Sequence, residues 1–332
     1  MKNLHIVIPE NYSESIRLDQ YVASVSEEMN RSKLKSCYQE LLLNEKNAKL
    51  SSKVKANDVI DIFYEENIPD NIEPENIPLR IVYEDEDVTV VNKAQGMVTH
   101  PAAGNWNGTL VNALLYHWGK TAVPQTKDAG ENQILKMRRP GIVHRLDKDT
   151  SGLIITAKNR NIEEWLSSQF KDRHVQKEYI CIVKGKPPAS SGDVRTQIVR
   201  DKKNRQRFKA VTATTEGKFA RSLYHCVACY GPYSVIRVRI KTGRTHQIRV
   251  HMKYLGCPIL GDFLYGKPDT LFPNAKLMLH SRQMIIKTSP DKKFRRFTAS
   301  VPFRFMETIK ILRENFPREV MPKVKPKCKK SK

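Results

Sequence analysis

Gly141–Lys158 reads G-I-V-H-R-L-D-K-D-T-S-G-L-I-I-T-A-K. Its second half, Leu153–Ala157, is a short apolar run behind Gly152 and predicts a buried strand. Its first half crowds His144, Arg145, Asp147, Lys148 and Asp149 into a turn that the strand must hold rigid. Turns fixed by a scaffold in this way are where reactive groups sit. A solvated charged turn is the plain alternative, but it leaves unexplained why the Arg-Leu-Asp core has Gly on both sides. Of the two carboxylates, Asp147 is the candidate for chemistry, because Leu146 anchors the turn beside it. Asp149-Thr150-Ser151-Gly152 instead has the composition of a turn closed by local side-chain to backbone bonds. A catalytic Asp in a dry pocket needs a positive partner to stay ionised. The sequence must therefore supply an Arg from elsewhere.

The chain has 332 residues, enough for two domains. Lys and Arg number 58 against 35 Asp and Glu, a net charge of +23. That surplus points to a polyanionic partner, nucleic acid ahead of an anionic membrane surface. No apolar run is long enough to span a bilayer, and the start, M-K-N-L-H-I-V-I-P-E, is not a signal peptide. The expectation is a soluble, cytoplasmic monomer with RNA as partner, and with neither DNA nor membrane. The six cysteines are scattered, which suits a reducing compartment. Cys226 and Cys229 form one C-x-x-C with no second pair. They sit among Leu223, Val227 and Tyr230, so packed strand residues are expected there rather than a metal site.

Residues 1–65 form a small unit. Ile16-Arg17-Leu18-Asp19 leads into a helical pattern through Tyr21, Val22 and Val25. A second helical pattern runs from Arg31 to Leu43, and Val59–Phe63 predicts a closing strand. Residues 66–80 carry Pro69, Pro74 and Pro78 and read as a semi-rigid linker. A larger domain follows over 81–315. Val88–Asn92 predicts a strand, and Thr109 caps an apolar helix from Leu110 to Trp118 that Gly119 terminates. Residues 120–140 form a long basic loop in which Lys136, Arg138 and Arg139 are candidate phosphate contacts.

Asn161 opens an amphipathic helix with Ile162, Trp165, Leu166 and Phe170 on one stripe. Lys177–Val183 predicts a strand with Tyr179 near its start. Residues 199–211 carry Arg200, Lys202, Lys203, Arg205, Arg207 and Lys209 and predict a basic hairpin suited to a phosphate backbone. Tyr233–Ile240 alternates cleanly and predicts a strand. After it, Thr245 reads as an N-cap and Gly256 as a C′ residue, so Gln247–Leu255 is expected to be helical. Arg249, near that helix's start, is the candidate partner for Asp147. His246 and His251 lie five apart, a poor spacing for a metal pair. The basic stretch 316–332 is expected to be a disordered, RNA-seeking tail.

H-R-L-D-K-D-T-S-G, K-E-Y and T-G-R-T-H-Q-I-R-V-H-M occur in that order. Together with I-V-Y-E-D-E-D, G-T-L-V-N-A-L-L and G-D-F-L-Y-G at 261–266, they resemble the RluA/RluD-type family of RNA pseudouridine synthases. The pieces I-R-L-D-Q-Y, N-R-S-K-L-K and K-V-K-A-N-D-V-I-D-I of residues 1–65 resemble an S-four-like RNA-binding module. There Asn44-Glu45-Lys46-Asn47 replaces the expected Asn-Gly turn.

The resemblance implies an α+β fold: a mixed, largely antiparallel bifurcated sheet with flanking helices, plus the small α/β RNA-binding module. It implies isomerisation of selected uridines to pseudouridine in RNA, with 23S-type ribosomal RNA as the expected substrate, and no cofactor or metal. By resemblance, Asp147 is the essential aspartate, Tyr179 stacks on the target base, and Arg249 pairs with the aspartate. Arg145 takes the space of the extruded base. His144, Arg244, Lys203, Arg205 and Arg207 are placed with the RNA-contacting set. The reaction requires the uridine to leave its stack. The carboxylate then either attacks the sugar or takes a proton from it.

The chain departs from the family pattern in places. N-K-P-x-G reads Asn92-Lys93-Ala94-Gln95-Gly96, and L-H-A reads Leu279-His280-Ser281. A non-catalytic RNA-binding protein would share the charge, but it would have no need of Asp147, Tyr179 and Arg249 together. H-R-L-D shares letters with the kinase H-R-D, yet no Gly-rich phosphate loop or D-F-G accompanies it.

Overall fold

The computed structural model describes residues 2–26, 29, 31–64, 72–102, 104–119, 140–212, 216–319 and 321. The chain divides into two compact units, Met1–Asp70 and Asn71–Lys332.

In the first unit, β1 (Lys2–Val7), β6 (Val59–Tyr64), β3 (Tyr38–Leu43) and β4 (Lys46–Asn47) form an antiparallel sheet in that order. β2 (Ile16–Arg17) pairs with β5 (Lys53–Val54). α1 (Leu18–Val25) and α2 (Arg31–Cys37) bury Leu18, Val22 and Leu34 in one core with Ile60 and Ile62 of the sheet. The helix expected to reach Leu43 stops at Cys37. Its last residues pair as a strand instead, Leu41 opposite Ile62 and Leu43 opposite Ile60. Backbone pairing to β6 overrides the helical pattern of that segment.

The β3–β4 hairpin turns on Asn44 (φ 51°) and Glu45 (φ 64°). Those are the two left-handed positions of a two-residue hairpin turn, which Asn-Gly ordinarily fills. Asn44 holds the geometry: its Nδ2 donates to Asp58 Oδ1 at 2.9 Å, and its Oδ1 accepts from the Val59 amide at 2.8 Å.

In the second unit, one sheet dominates the described residues. Its order is β12 (Phe208–Val211), β11 (Ser191–Arg200), β13 (Lys218–Tyr230), β14 (Tyr233–Ile240), β10 (Gln176–Lys184), β15 (Leu279–Ile286), β9 (Ser151–Ala157), β8 (Val88–Lys93) and β7 (Ile81–Glu84). The pairings are antiparallel except that of β15 with β9. β15 is where the sheet forks. His280 and Ser281 pair with Ser151 and Gly152, and from Gln283 onward the neighbour is β16 (Arg295–Thr298). The α+β class and the mixed, largely antiparallel, forked sheet agree with expectation.

β9 is buried along its whole length. Leu153 and Ile155 face Ile162 and Leu166 of α4 (Arg160–Lys171), while Ile154 faces Leu110 and Leu114 of α3 (Leu110–His117). A strand covered on both faces reads as a continuous apolar run, which is why L-I-I-T-A does not alternate. On the other arm, α5 (Gln247–Tyr254) and α6 (Phe303–Asn315) bury Ile248, Met252, Phe305 and Leu312 in the core that holds Ile182 and Ile236.

Several boundaries differ from expectation. α4 is capped by Asn159, whose side chain accepts from the Ile162 amide at 3.0 Å, so the helix starts at Arg160 and not Asn161. α5 follows His246 in a left-handed conformation (φ 54°), so Thr245 is not its cap. Residues 72–80, expected as linker, lie along α3: Ile72 packs with Val111 and Leu115, and Asn112 Nδ2 donates to the Glu73 carbonyl. The start of the basic tail is also ordered. Phe316 joins the core beside Tyr233, and β17 (Arg318–Glu319) pairs with Tyr230 and Cys229 of β13. The rest of that tail, and the loop bearing Lys136, Arg138 and Arg139, lie outside the described residues.

Candidate active site

The turn before β9 is held by its carbonyls, one after another. Thr99 Oγ1 donates to Leu146 O at 2.9 Å, and the Thr150 amide donates to Asp147 O at 3.0 Å. Lys148 O accepts from the Gly96 amide at 2.9 Å and from Lys93 Nζ at 3.1 Å. Gln95 Nε2 donates to Asp149 O at 2.9 Å and to Leu277 O at 2.8 Å. The segment Lys93–Thr99 thus grips three of the four successive carbonyls around Asp147, the Thr150 amide takes the fourth, and Leu146 is buried beneath. Gln95, at the open position of the N-K-P-x-G pattern, supplies two of these bonds.

Lys93 is 1 % exposed. Its ammonium also donates to Ala94 O and Met97 O, so all three of its protons are spent on carbonyls. Burial pulls its pKa down to about 8, with Asp147 and Asp149 acting the other way.

Asp147 Oδ2 stands 3.9 Å from Arg249 Nη1 and 4.0 Å from His246 Nε2. Arg249 has a closer partner that the sequence reading missed. Its Nε and Nη2 donate to Asp262 at 2.7 and 2.8 Å in a two-pronged bond. Burial works against the Arg249 charge, but the bonds to Asp262 outweigh it and raise its pKa. Such planar pairing fixes orientation as well as charge. The remaining nitrogen, Nη1, is thereby aimed at Asp147. Asp262 Oδ1 also accepts from the Leu264 and Tyr265 amides, so it is committed to structure.

His246 is set by a relay. The Phe208 amide donates to the Tyr265 hydroxyl oxygen at 2.9 Å, and that hydroxyl shares a hydrogen bond of 2.9 Å with His246 Nδ1. The other ring nitrogen, Nε2, faces Asp147. Burial pushes the His246 pKa below its ordinary value despite Asp147.

Tyr179 comes from β10, two residues after Lys177, so both side chains fall on one face of the sheet. Tyr179 is 6 % exposed and shares a hydrogen bond with the Ser281 hydroxyl, and burial pushes its phenol well above the ordinary range. Lys177 Nζ lies 5.1 Å from the Phe170 ring centroid, and burial pulls its pKa down to about 8. Asp147, Tyr179, Lys177, Arg249 and His246 line one hollow of about 490 Å³, within the range of small-ligand sites.

The proposed RNA contacts divide. Arg145 and Arg244 both line this hollow, Arg145 from an exposed position. Lys203, Arg205 and Arg207 are exposed on the turn between β11 and β12, which form the expected hairpin. Of these three, Arg205 reaches a second hollow, which also holds Asp147. His144 lines the same hollow and is held there by its neighbours. Its Nε2 accepts from the Ile155 amide at 3.0 Å, and its ring stacks on Phe170 at 4.5 Å. Burial, reinforced by Lys177, drives its pKa well below the ordinary value. The ring braces the turn as a neutral group and offers no charge to a phosphate.

Cys226 and Cys229 are buried with their sulfurs 3.5 Å apart, and burial pushes the Cys226 thiol up to about 12. Among the described residues, no cluster of His, Cys, Asp and Glu is arranged to hold a metal.

Comparison with known proteins shows the family. The profile of the family described as RNA pseudouridylate synthase matches residues 87–254. The chain is 41 % identical over 298 residues to the ribosomal large subunit pseudouridine synthase D of Borreliella burgdorferi, covering 88 % of each chain. It is 43 % identical over 302 residues to an uncharacterized RNA pseudouridine synthase of Chlorobaculum parvum, covering 87 % of this chain and 89 % of that one. In fold it is similar to human RNA pseudouridylate synthase domain containing 4, with a TM-score of 0.54 at 23 % identity, over 73 % of this chain and 95 % of the other. On motif order, forked sheet and these likenesses together, the chain belongs to the RluA/RluD-type family of RNA pseudouridine synthases, enzymes of the isomerase class.

Proposed function

We propose that this enzyme converts selected uridines of large-subunit ribosomal RNA to pseudouridine, with Asp147 as the catalytic carboxylate. The observation that carries the reading is the meeting of Asp147, Tyr179 and Arg249 in one hollow, from three separate stretches of chain. The relatives named for the ribosomal large subunit support the substrate.

In the reaction, the bond from uracil N1 to the sugar breaks and the base turns. C5 then bonds to the same sugar carbon, its proton leaves, and N1 gains one. Every atom but the exchanged protons stays in the nucleotide, so no redox equivalent or group donor is consumed. The target must leave its stack at a cost of a few kcal/mol. Arg145, exposed at the rim, fills the vacated space. The Tyr179 face stacks on the uracil, a contact of about 1–3 kcal/mol. Whether Asp147 bonds to the sugar or removes its proton, Arg249 is the cation turned toward it. Met1–Asp70 serves as an S-four-like module that adds affinity for RNA phosphates.

The test is Asp147→Asn. It is expected to abolish pseudouridine formation in large-subunit ribosomal RNA while RNA binding persists. Mapping pseudouridines in cells with and without this protein identifies the site. Normal product from the variant, or an unchanged map, overturns the reading.

A further inference from the structure

The loop Gly261–Gly266 holds two neighbours of opposite fate. The Asp262 side chain is fully buried against Arg249, and Phe263, the next residue, is 62 % exposed. The exposure does not come from slack in the chain. Asp262 Oδ1 accepts from the Leu264 and Tyr265 amides, both at 3.1 Å, so the backbone on each side of Phe263 is pinned. A large aromatic held rigidly in water adds little to the fold, because its apolar surface stays hydrated.

Phe263 lines the second hollow, of about 670 Å³, which shares Asp147, His246 and Arg249 with the first but does not include Tyr179. Arg145, Arg200, Arg205 and Gln206 line it too. An aromatic face among guanidinium groups is the combination that holds a nucleotide. The base stacks on the ring, and the phosphates take the charges. A protein or lipid partner would call for a contiguous apolar patch instead, and half of the residues that line this hollow are charged, with cations outnumbering carboxylates.

We propose that Phe263 stacks on the base adjacent to the target uridine, so that this hollow reads the flanking nucleotide. The inference rests on the assignment of Asp147 as the catalytic carboxylate, because that assignment places the target between the two hollows. The ring acts on binding, by holding the neighbour while the uridine turns out toward Tyr179.

The experiment uses the full chain. Its substrate is an oligonucleotide spanning a uridine at which the wild-type chain forms pseudouridine in a large-subunit ribosomal transcript. Phe263→Ala is expected to raise KM for this RNA by about 5- to 150-fold, which is about 1–3 kcal/mol at about 1.4 kcal/mol per tenfold. The loss should fall on KM rather than kcat, and Phe263→Trp should restore most of it. With an abasic nucleotide on the flank that is read, the wild-type chain should lose the same factor and Phe263→Ala nothing more. An unaltered KM in Phe263→Ala, or a defect that persists in full on the RNAs abasic at either flank, overturns the stacking role alone. No product from the wild-type chain in ribosomal RNA overturns the functional reading, and this inference with it.

Discussion

Asp262 holds Arg249 by two bonds of 2.7 and 2.8 Å, while Arg249 meets Asp147 at 3.9 Å with the nitrogen left over. On the proposed assignment of Asp147, the carboxylate that binds the guanidinium most tightly is therefore the one away from the chemistry. Its work is positional. In Asp262→Asn, Arg249 loses its two-pronged anchor and is free to swing onto Asp147. A misplacement of about 1 Å costs on the order of 10²-fold in rate. Single-turnover kcat is expected to fall by about that factor, with RNA affinity changed far less. A kcat equal to wild type would remove Asp262 from this role.

Lys93 is expected to matter through the turn it grips. Lys93→Met fits the volume but takes the ammonium donor from the Ala94 and Met97 carbonyls and leaves Lys148 O with the Gly96 amide alone, and a buried unsatisfied group costs about 1–3 kcal/mol. Thermal unfolding should shift down accordingly. kcat should drop as well, because Lys148 O, which loses one of its two donors, adjoins Asp147. Lower stability with full activity would show that the other grips on the turn suffice.

Lys177 predicts a pH effect on binding. Burial places its pKa at about 8, below the ordinary 10.5. Below about pH 8 the hollow therefore carries this positive charge, and above it the charge is lost. RNA affinity at fixed salt should weaken as pH rises through about 8, and Lys177→Met should remove that limb. The sign for stability is the reverse. The cost of burying the charge is present in full below about pH 8 and fades between 8 and 10.5, where the unfolded chain still binds the proton and the folded one does not. An affinity that stays flat across this range in the wild-type chain would contradict the assignment.

The first unit is expected to act through phosphates. A chain without Met1–Asp70 should bind RNA more weakly, and its affinity should depend less steeply on salt. The slope should fall by about 0.7–0.9 for each phosphate that this unit neutralises. Titrations across a range of salt concentrations check this. An unchanged slope would mean that the unit engages no phosphates.

Much of the fold was legible where the pattern is local. The apolar run at Leu153–Ala157 and the alternation at Tyr233–Ile240 both correspond to strands, because period and burial are set by neighbours along the chain. The stop at Cys37 was not legible, since Tyr38–Leu43 becomes a strand only when β6 is present to pair with it. Asp262 stood in a quoted motif without a role, because its partner lies on another element and nothing local marks it. Lys93 has the look of a solvated strand end, and only the folded turn shows that its ammonium points inward. The bracing of the turn by His144 was not legible either, because its hydrogen bond to Ile155 and its stack on Phe170 are tertiary facts.

β15 lies between β9, which follows Asp147, and β10, which carries Tyr179. During translation, a nascent chain that has not yet reached Leu279 has nothing to wedge between those two strands. If the proposed site is correct, the meeting of Asp147 and Tyr179 is expected to wait for this late strand, and a polypeptide stalled on the ribosome before it should form no pseudouridine.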